Sequence, residues 1–176
     1  ILISGQGSVI IFNSSNSYQL SLIENVNFKN LNPPLIPLMR FTGSINGYGG
    51  KFIINNSTVL NGQAEDQLNI VNAEIMISNM TFNNAKSDAF DCDFCKGKIS
   101  NLKFNNIGGD ALDISGSVIN AQGLFIDNTK DKAISIGENS IVNLNDLLIK
   151  NTGTGVAVKD GSKANIKKIE FKNIFY

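Results

Sequence analysis

The chain has no histidine and no tryptophan, and its one arginine is Arg40. A basic residue needed for chemistry is therefore Arg40, with Lys86 and Lys132 behind it. Lysine plus arginine and aspartate plus glutamate balance at 15 each. The zero net charge removes any electrostatic argument for a nucleic-acid partner or an anionic membrane. No apolar run is long enough to span a bilayer, so no membrane span is expected, and the sequence shows no signal-peptide pattern. Proline occurs only at Pro33, Pro34 and Pro37, which leaves the rest of the chain free to form central strands. No window offers an amphipathic helix, because the polar segments are built from Gly, Asn, Ser and Asp.

What is present is a repeat. Its marker is the series Asn30, Asn61, Asn84, Asn106, Asn128, Asn151 and Asn173, whose successive intervals are 31, 23, 22, 22, 23 and 22. A fixed period of that size marks a solenoid. Two residues before each Asn stand Phe28, Val59, Phe82, Phe104, Ile126, Ile149 and Phe171. Four before it are mostly apolar residues such as Met80, Leu102, Leu124 and Leu147, and seven before it such as Ile54, Ile77, Ile99 and Leu144. A spacing of two is a strand period, and the change to three implies a bend between two strands. After each Asn a third strand alternates: Leu68 and Ile70, Phe90 and Cys92, Leu112 and Ile114, Ile134 and Ile136. The Asn itself suits a bend that needs left-handed backbone, and stacked Asn side chains can bond from coil to coil.

A leucine-rich repeat has a similar period but a different spacing between its Leu and Asn positions, and it usually returns through a helix. Three short strands per coil, stacked in register at ~4.8 Å, fit better and give a single domain over residues 1–176, a rod of about seven coils of about 22–23 residues and roughly 35 Å. The Asn column and its repeats, over about residues 20 to 176, resemble the asparagine ladder of right-handed parallel β-helices of the pectate-lyase-like superfamily. The segments Asp131–Ser140 and Gly155–Ser162 also look like β-helix repeats of bacterial surface proteins. The first resemblance implies an outward face comparable to the one that enzymes of that class use for polyuronides, in several members with Ca²⁺. This chain departs from it: without histidine it has neither the Gly-His-Gly element of polygalacturonase-like enzymes nor the Asp-Pro-His of alginate-epimerase-like ones. Secreted or cell-surface localisation is expected from the fold class. Both termini look like places where further coils or domains of a parent chain would attach.

Residues 1–19 read as an irregular first coil. The long step between Asn30 and Asn61 holds the prolines and four glycines, and it reads as two excursions, 31–38 and 42–50, with Tyr48 at the tip of the second. They flank a strand around Met39 and Phe41. On that register the position between the paired core residues of the third strand stacks Arg40, Asn69, Asp91, Asp113, Ser135 and Ala157 on an outward face. Asp91 and Asp113 fall on adjacent coils roughly 5 Å apart, with Asp66, Asp88, Asp93 and Asp110 around them.

Three readings are open: solvated face residues; a Ca²⁺ site on Asp91, Asp93 and Asp113; or a general acid and base, Asp91 and Asp113 with Arg40, acting on a glycosidic bond. Asn69, Asp88, Asp110, Tyr48 and Phe125 are the candidate binding residues, the last because an exposed aromatic can stack on a sugar or dock another chain. Cys92 and Cys95 lack the context of a redox motif or the further ligands of a metal site. They read as small buried residues, with a local disulfide next in an exported protein. The expected function is a scaffold or binding module that meets polysaccharide or a surface protein along an elongated face. The alternative is a polysaccharide lyase, hydrolase or epimerase.

Overall fold

A computed structural model describes residues 1–13, 20–36 and 41–176. The chain runs through β1 (Leu2–Ser4), β2 (Val9–Phe12), β3 (Leu20–Glu24), β4 (Asn27–Lys29), β5 (Gly43–Tyr48), β6 (Lys51–Asn55), β7 (Thr58–Leu60), β8 (Asp66–Val71) and β9 (Glu74–Ser78). It continues through β10 (Thr81–Ala85), β11 (Asp88–Asp93), β12 (Lys96–Ser100), β13 (Lys103–Ile107), β14 (Leu112–Ser115), β15 (Val118–Gly137), β16 (Ile141–Val158), β17 (Lys163–Ile166) and β18 (Ile169–Ile174). Every ladder is parallel, and each strand pairs with its counterpart one coil away, as in Phe82↔Phe104 and Leu112↔Ile134. The result is an all-β parallel solenoid of about seven turns. The first face carries β3, β6, β9 and β12, then the start of β15 and of β16, then β17. The second carries β1, β4, β7, β10 and β13, the middle of β15 and of β16, then β18. The third carries β2, β5, β8, β11 and β14, then the ends of β15 and β16.

The core is the set of apolar columns read from the repeat. Ile54, Ile77 and Ile99 pack from the first face, Phe82, Phe104 and Ile126 from the second, and Phe90, Leu112 and Ile134 from the third, all at most 2 % exposed. The rings of Phe82 and Phe104 stack at 5.1 Å and 7°, and that of Phe90 lies parallel to Phe82 at 6.0 Å. A buried aromatic of this size contributes a large apolar area, and stacking adds to it.

The corners explain the asparagines. The seven repeating Asn residues between the second and third faces all have φ between 50° and 60°, backbone that Asn tolerates and β-branched residues avoid. The rule extends to corners the repeat did not reveal. Asn25, Asn56, Asn79, Asn101, Gly123 and Asp146 turn the first face into the second, and Asn72, Phe94, Gly116 and Asn139 turn the third into the next coil, all at positive φ. Amide side chains link the coils: Asn84 donates to Asn61 at 3.0 Å, Asn106 to Asn84 at 3.2 Å and Asn128 to Asn106 at 2.8 Å. At the next coil Asn151 donates to Asp127 at 2.7 Å instead.

Two expectations change. Gly43–Tyr48 is not an excursion but β5, a full rung of the third face paired with β2 and β8. Gly47 hid it: glycine stands in a core column, where the Phe52 ring lies 2.8 Å from the place of a Cβ. Asn46, the register partner of Asn69, therefore fills the position assigned to Arg40. Arg40 lies outside the described residues, as do part of the first excursion and part of the irregular first coil. The two cysteines, on a core column and at the third corner, are buried as expected but joined in a disulfide.

Candidate functional site

The outward side of the third face carries two columns. One runs Asn46, Asn69, Asp91, Asp113, Ser135, Ala157, and the other Phe12, Tyr48, Val71, Asp93, Ser115, Gly137. Asp91 and Asp113 are register partners on one face. The sequence puts the first column on an outward face, yet Asn46, Asn69 and Ser135 are buried and only Asp91 and Asp113 are partly open among its polar members. Asn69 Nδ2 donates to Asp91 Oδ2 at 2.9 Å.

The carboxylates divide into two kinds. Asp88 and Asp110 stand at the turn that leads into the third face and hold the next coil: Asp88 Oδ1 accepts from the Asp110 amide at 2.8 Å, and Asp110 Oδ1 accepts from the Lys132 amide at 2.8 Å. The Lys132 ammonium lies 3.3 Å from Asp110 Oδ2 and 2.6 Å from Asp131. Asp66, Asp91 and Asp113 have no ion pair among the described residues. Burial pushes the Asp91 carboxyl up to about 8, helped by repulsion from Asp66, Asp93 and Asp113 and opposed by the Asn69 amide. Burial likewise lifts Asp66 to about 7, against the hydroxyl of Thr42, with Asp88, Glu65 and Asp93 adding repulsion. Asp88, Asp93 and Asp110 are raised too, each chiefly by desolvation. This is the expected result of crowding like charges where water is scarce.

The other residues singled out sort clearly. Tyr48 lies on β5 at the low end of the second column, stacked on Phe12 at 5.2 Å and meeting Phe41 edge-on at 5.7 Å. Burial and then the charges of Asp66, Asp93 and Asp91 raise its hydroxyl, so the aromatic trio adjoins the acidic row. Phe125 belongs to the second face, away from this row, and the Lys150 ammonium covers its ring at 4.9 Å. Among the described residues Asp88, Asp110 and Asp113 each place an oxygen within 4.8 Å of the others, a set that shares Asp113 with the expected Asp91, Asp93 and Asp113. Oxygen-only ligands of this kind suit Ca²⁺, although the Lys132 ammonium competes for Asp110.

No match is found. Neither a protein-family model, nor a curated protein, nor a solved structure matches the chain. The likeness to pectate-lyase-like proteins therefore rests on the repeat, and only the parallel solenoid follows from it. Asn46 was missed although a signal existed: stepping back from Asn69 by the interval that separates Asn84 from Asn61 reaches it.

Proposed function

We propose that this solenoid is a binding scaffold of a secreted or cell-surface protein, and that a polysaccharide lies along its third face. One observation carries the reading: a recessed row of hydrogen-bonding side chains, one per coil, half-open at Asp91 and Asp113 and flanked by the Phe12, Phe41 and Tyr48 rings. Aromatic faces beside carboxylates and amides offer a sugar both a stacking surface and acceptors for its hydroxyls. The disulfide between Cys92 and Cys95 supports an oxidising, exported setting. A surface protein is the other partner such an elongated face would suit, and further coils or domains of a parent chain would extend it. The test is a glycan array followed by calorimetry on the wild type and on Tyr48→Ala and Asp113→Asn. Binding that both variants weaken supports the reading, and an array blank for every glycan overturns it.

A second reading has its own observation. Asp91 holds its proton to about 8 beside a second carboxyl on the next coil, the arrangement that lets one acid protonate a glycosidic oxygen while its neighbour acts on the sugar. Release of reducing ends from a polysaccharide, abolished by Asp91→Asn, would establish hydrolysis. Binding without turnover would leave the scaffold reading alone.

A further inference from the structure

The first face carries a groove of its own. Its strands turn every second side chain outward. Over the later coils two outward columns stand as walls above the backbone of Ile99, Ala121 and Leu144, and they enclose about 620 Å³. That volume lies in the range of ligand sites. One wall is Lys98, Asn120, Asn143 and Asn165, stacked in register. The other includes Gln122, Asn145 and Lys167. These side chains are exposed, so a ligand reaches them. The polar character is local to these coils, because in earlier ones the first of the two columns holds Leu22, Ile53 and Met76.

The chemistry of the walls is one-sided. Asn143 Nδ2 donates to Asn120 Oδ1 at 2.8 Å and Asn165 Nδ2 to Asn143 Oδ1 at 3.3 Å. The ladder thus engages amide oxygens along itself and leaves at least one N–H of each Asn for a ligand. Lys98 and Lys167 add ammoniums at opposite ends of the groove, roughly 14 Å apart along the axis. Neither belongs to an ion pair among the described residues. No carboxylate lines the groove among those residues. A positively charged set of N–H donors calls for an anion rich in acceptors. The aspartates of the third face would repel that same ligand, so the two faces do not compete for one partner.

Two features narrow the anion. The amides recur once per coil, which suits a linear polymer, and Gln122 and Asn145 offer both donors and an acceptor to its hydroxyls. Lysine is a point charge without the planar fork by which arginine grips a carboxylate. Here the donors come from both walls, which suits an oxyanion whose oxygens point several ways.

We propose that the first-face groove binds a polysaccharide bearing sulfate or phosphate ester groups. Its oxyanions meet Lys98 and Lys167, and its hydroxyls lie along Asn120, Gln122, Asn143 and Asn145. This adds a second site to the scaffold and does not depend on the third face.

The experiment is calorimetry on the whole chain with dextran, dextran sulfate, dextran phosphate and a galacturonate oligomer, each at low and at raised salt. The expected result is that a sulfated or phosphorylated dextran binds at least about tenfold tighter than plain dextran and the galacturonate oligomer, and that salt weakens it. The tighter of the two identifies the ester. Lys98→Gln and Lys167→Gln should each weaken binding at least about fivefold, and Asn143→Ala at least about threefold, with Tm unchanged. Lys29→Gln, on the second face, removes the same charge outside the groove and should leave binding intact. An equal loss with Lys29→Gln overturns the proposal, since the attraction would then belong to overall charge. Equal binding of plain dextran, a preference for galacturonate, or no binding of either ester overturns it too. Should a groove variant misfold, the wild-type titrations still decide. The third-face reading keeps its own test through Tyr48→Ala and Asp113→Asn, so either site can fail without the other.

Discussion

Replacing Asn84 separates backbone from side-chain contributions at a corner. Its φ is 53°, its amide donates to Asn61 at 3.0 Å and accepts from Asn106 at 3.2 Å, and the side chain is exposed. Asn84→Gly and Asn84→Ala both lose the two exposed amide bonds, together about 1 kcal/mol at the lower end of the usual range. Alanine also sets a Cβ into left-handed backbone, at about 1–2 kcal/mol. Glycine avoids that cost but loosens the unfolded chain by about 0.4–1 kcal/mol. The net expectation is that Asn84→Gly is the more stable of the two by about 0.5–1 kcal/mol. Urea unfolding with equal slopes measures it. Asn105, within β13 and without positive φ, serves as the control, because there glycine should be the worse replacement. If alanine equals or beats glycine at position 84, the corner does not need left-handed backbone and the explanation of the repeat fails.

Phe82→Ala removes the middle ring of the buried stack and should cost about 3–5 kcal/mol, a fall in Tm of roughly 6–20 °C; calorimetry showing a fall under about 2 °C would mean the rings do not pack as described. Because Asp91 and Asp66 are raised in the fold to about 8 and about 7 from an ordinary 3.8, the folded state binds more protons between those limits. Stability should then be fullest below about pH 4 as far as these two groups decide it, and it should decline as pH rises to about 8. Thermal melts across that window check the slope, which Asp91→Asn should flatten. Adding Ca²⁺ should raise Tm through Asp88, Asp110 and Asp113, an effect that Asp113→Asn removes and Asp127→Asn keeps; a shift that survives Asp113→Asn would place the ion elsewhere.

The columns legible in the sequence were those fixed by periodicity. Phe28 through Phe171, Ile54 through Leu144, and Leu68 through Ile134 all pair as the repeat requires. The rung at Ile45 escaped because Gly47 carries no apolar side chain and neighbouring prolines drew the strand boundary too early, which moved Arg40 into a column that belongs to Asn46. The acidic row was visible as a list of aspartates, but its character was not. That Asn69 and Ser135 are closed off while Asp91 stays half-open is a matter of packing around each rung, and no spacing rule encodes it. The Lys150 ammonium over Phe125 was hidden for a similar reason, since the two belong to successive coils and meet only once those coils are stacked.

Because each corner residue sits above its equivalent in the coil below, the strands themselves change number in whole storeys, while extra residues are taken up between strands, as in the 31-residue step from Asn30 to Asn61. Excising one complete repeat from the regular part would rejoin like to like and leave a shorter rod with the same cross-section, whereas removal of a fraction of one would turn greasy columns out to water. Duplication and loss of single turns is thus the least disruptive way for such a chain to vary, and each event would lengthen or trim the acidic row by one rung without disturbing the others.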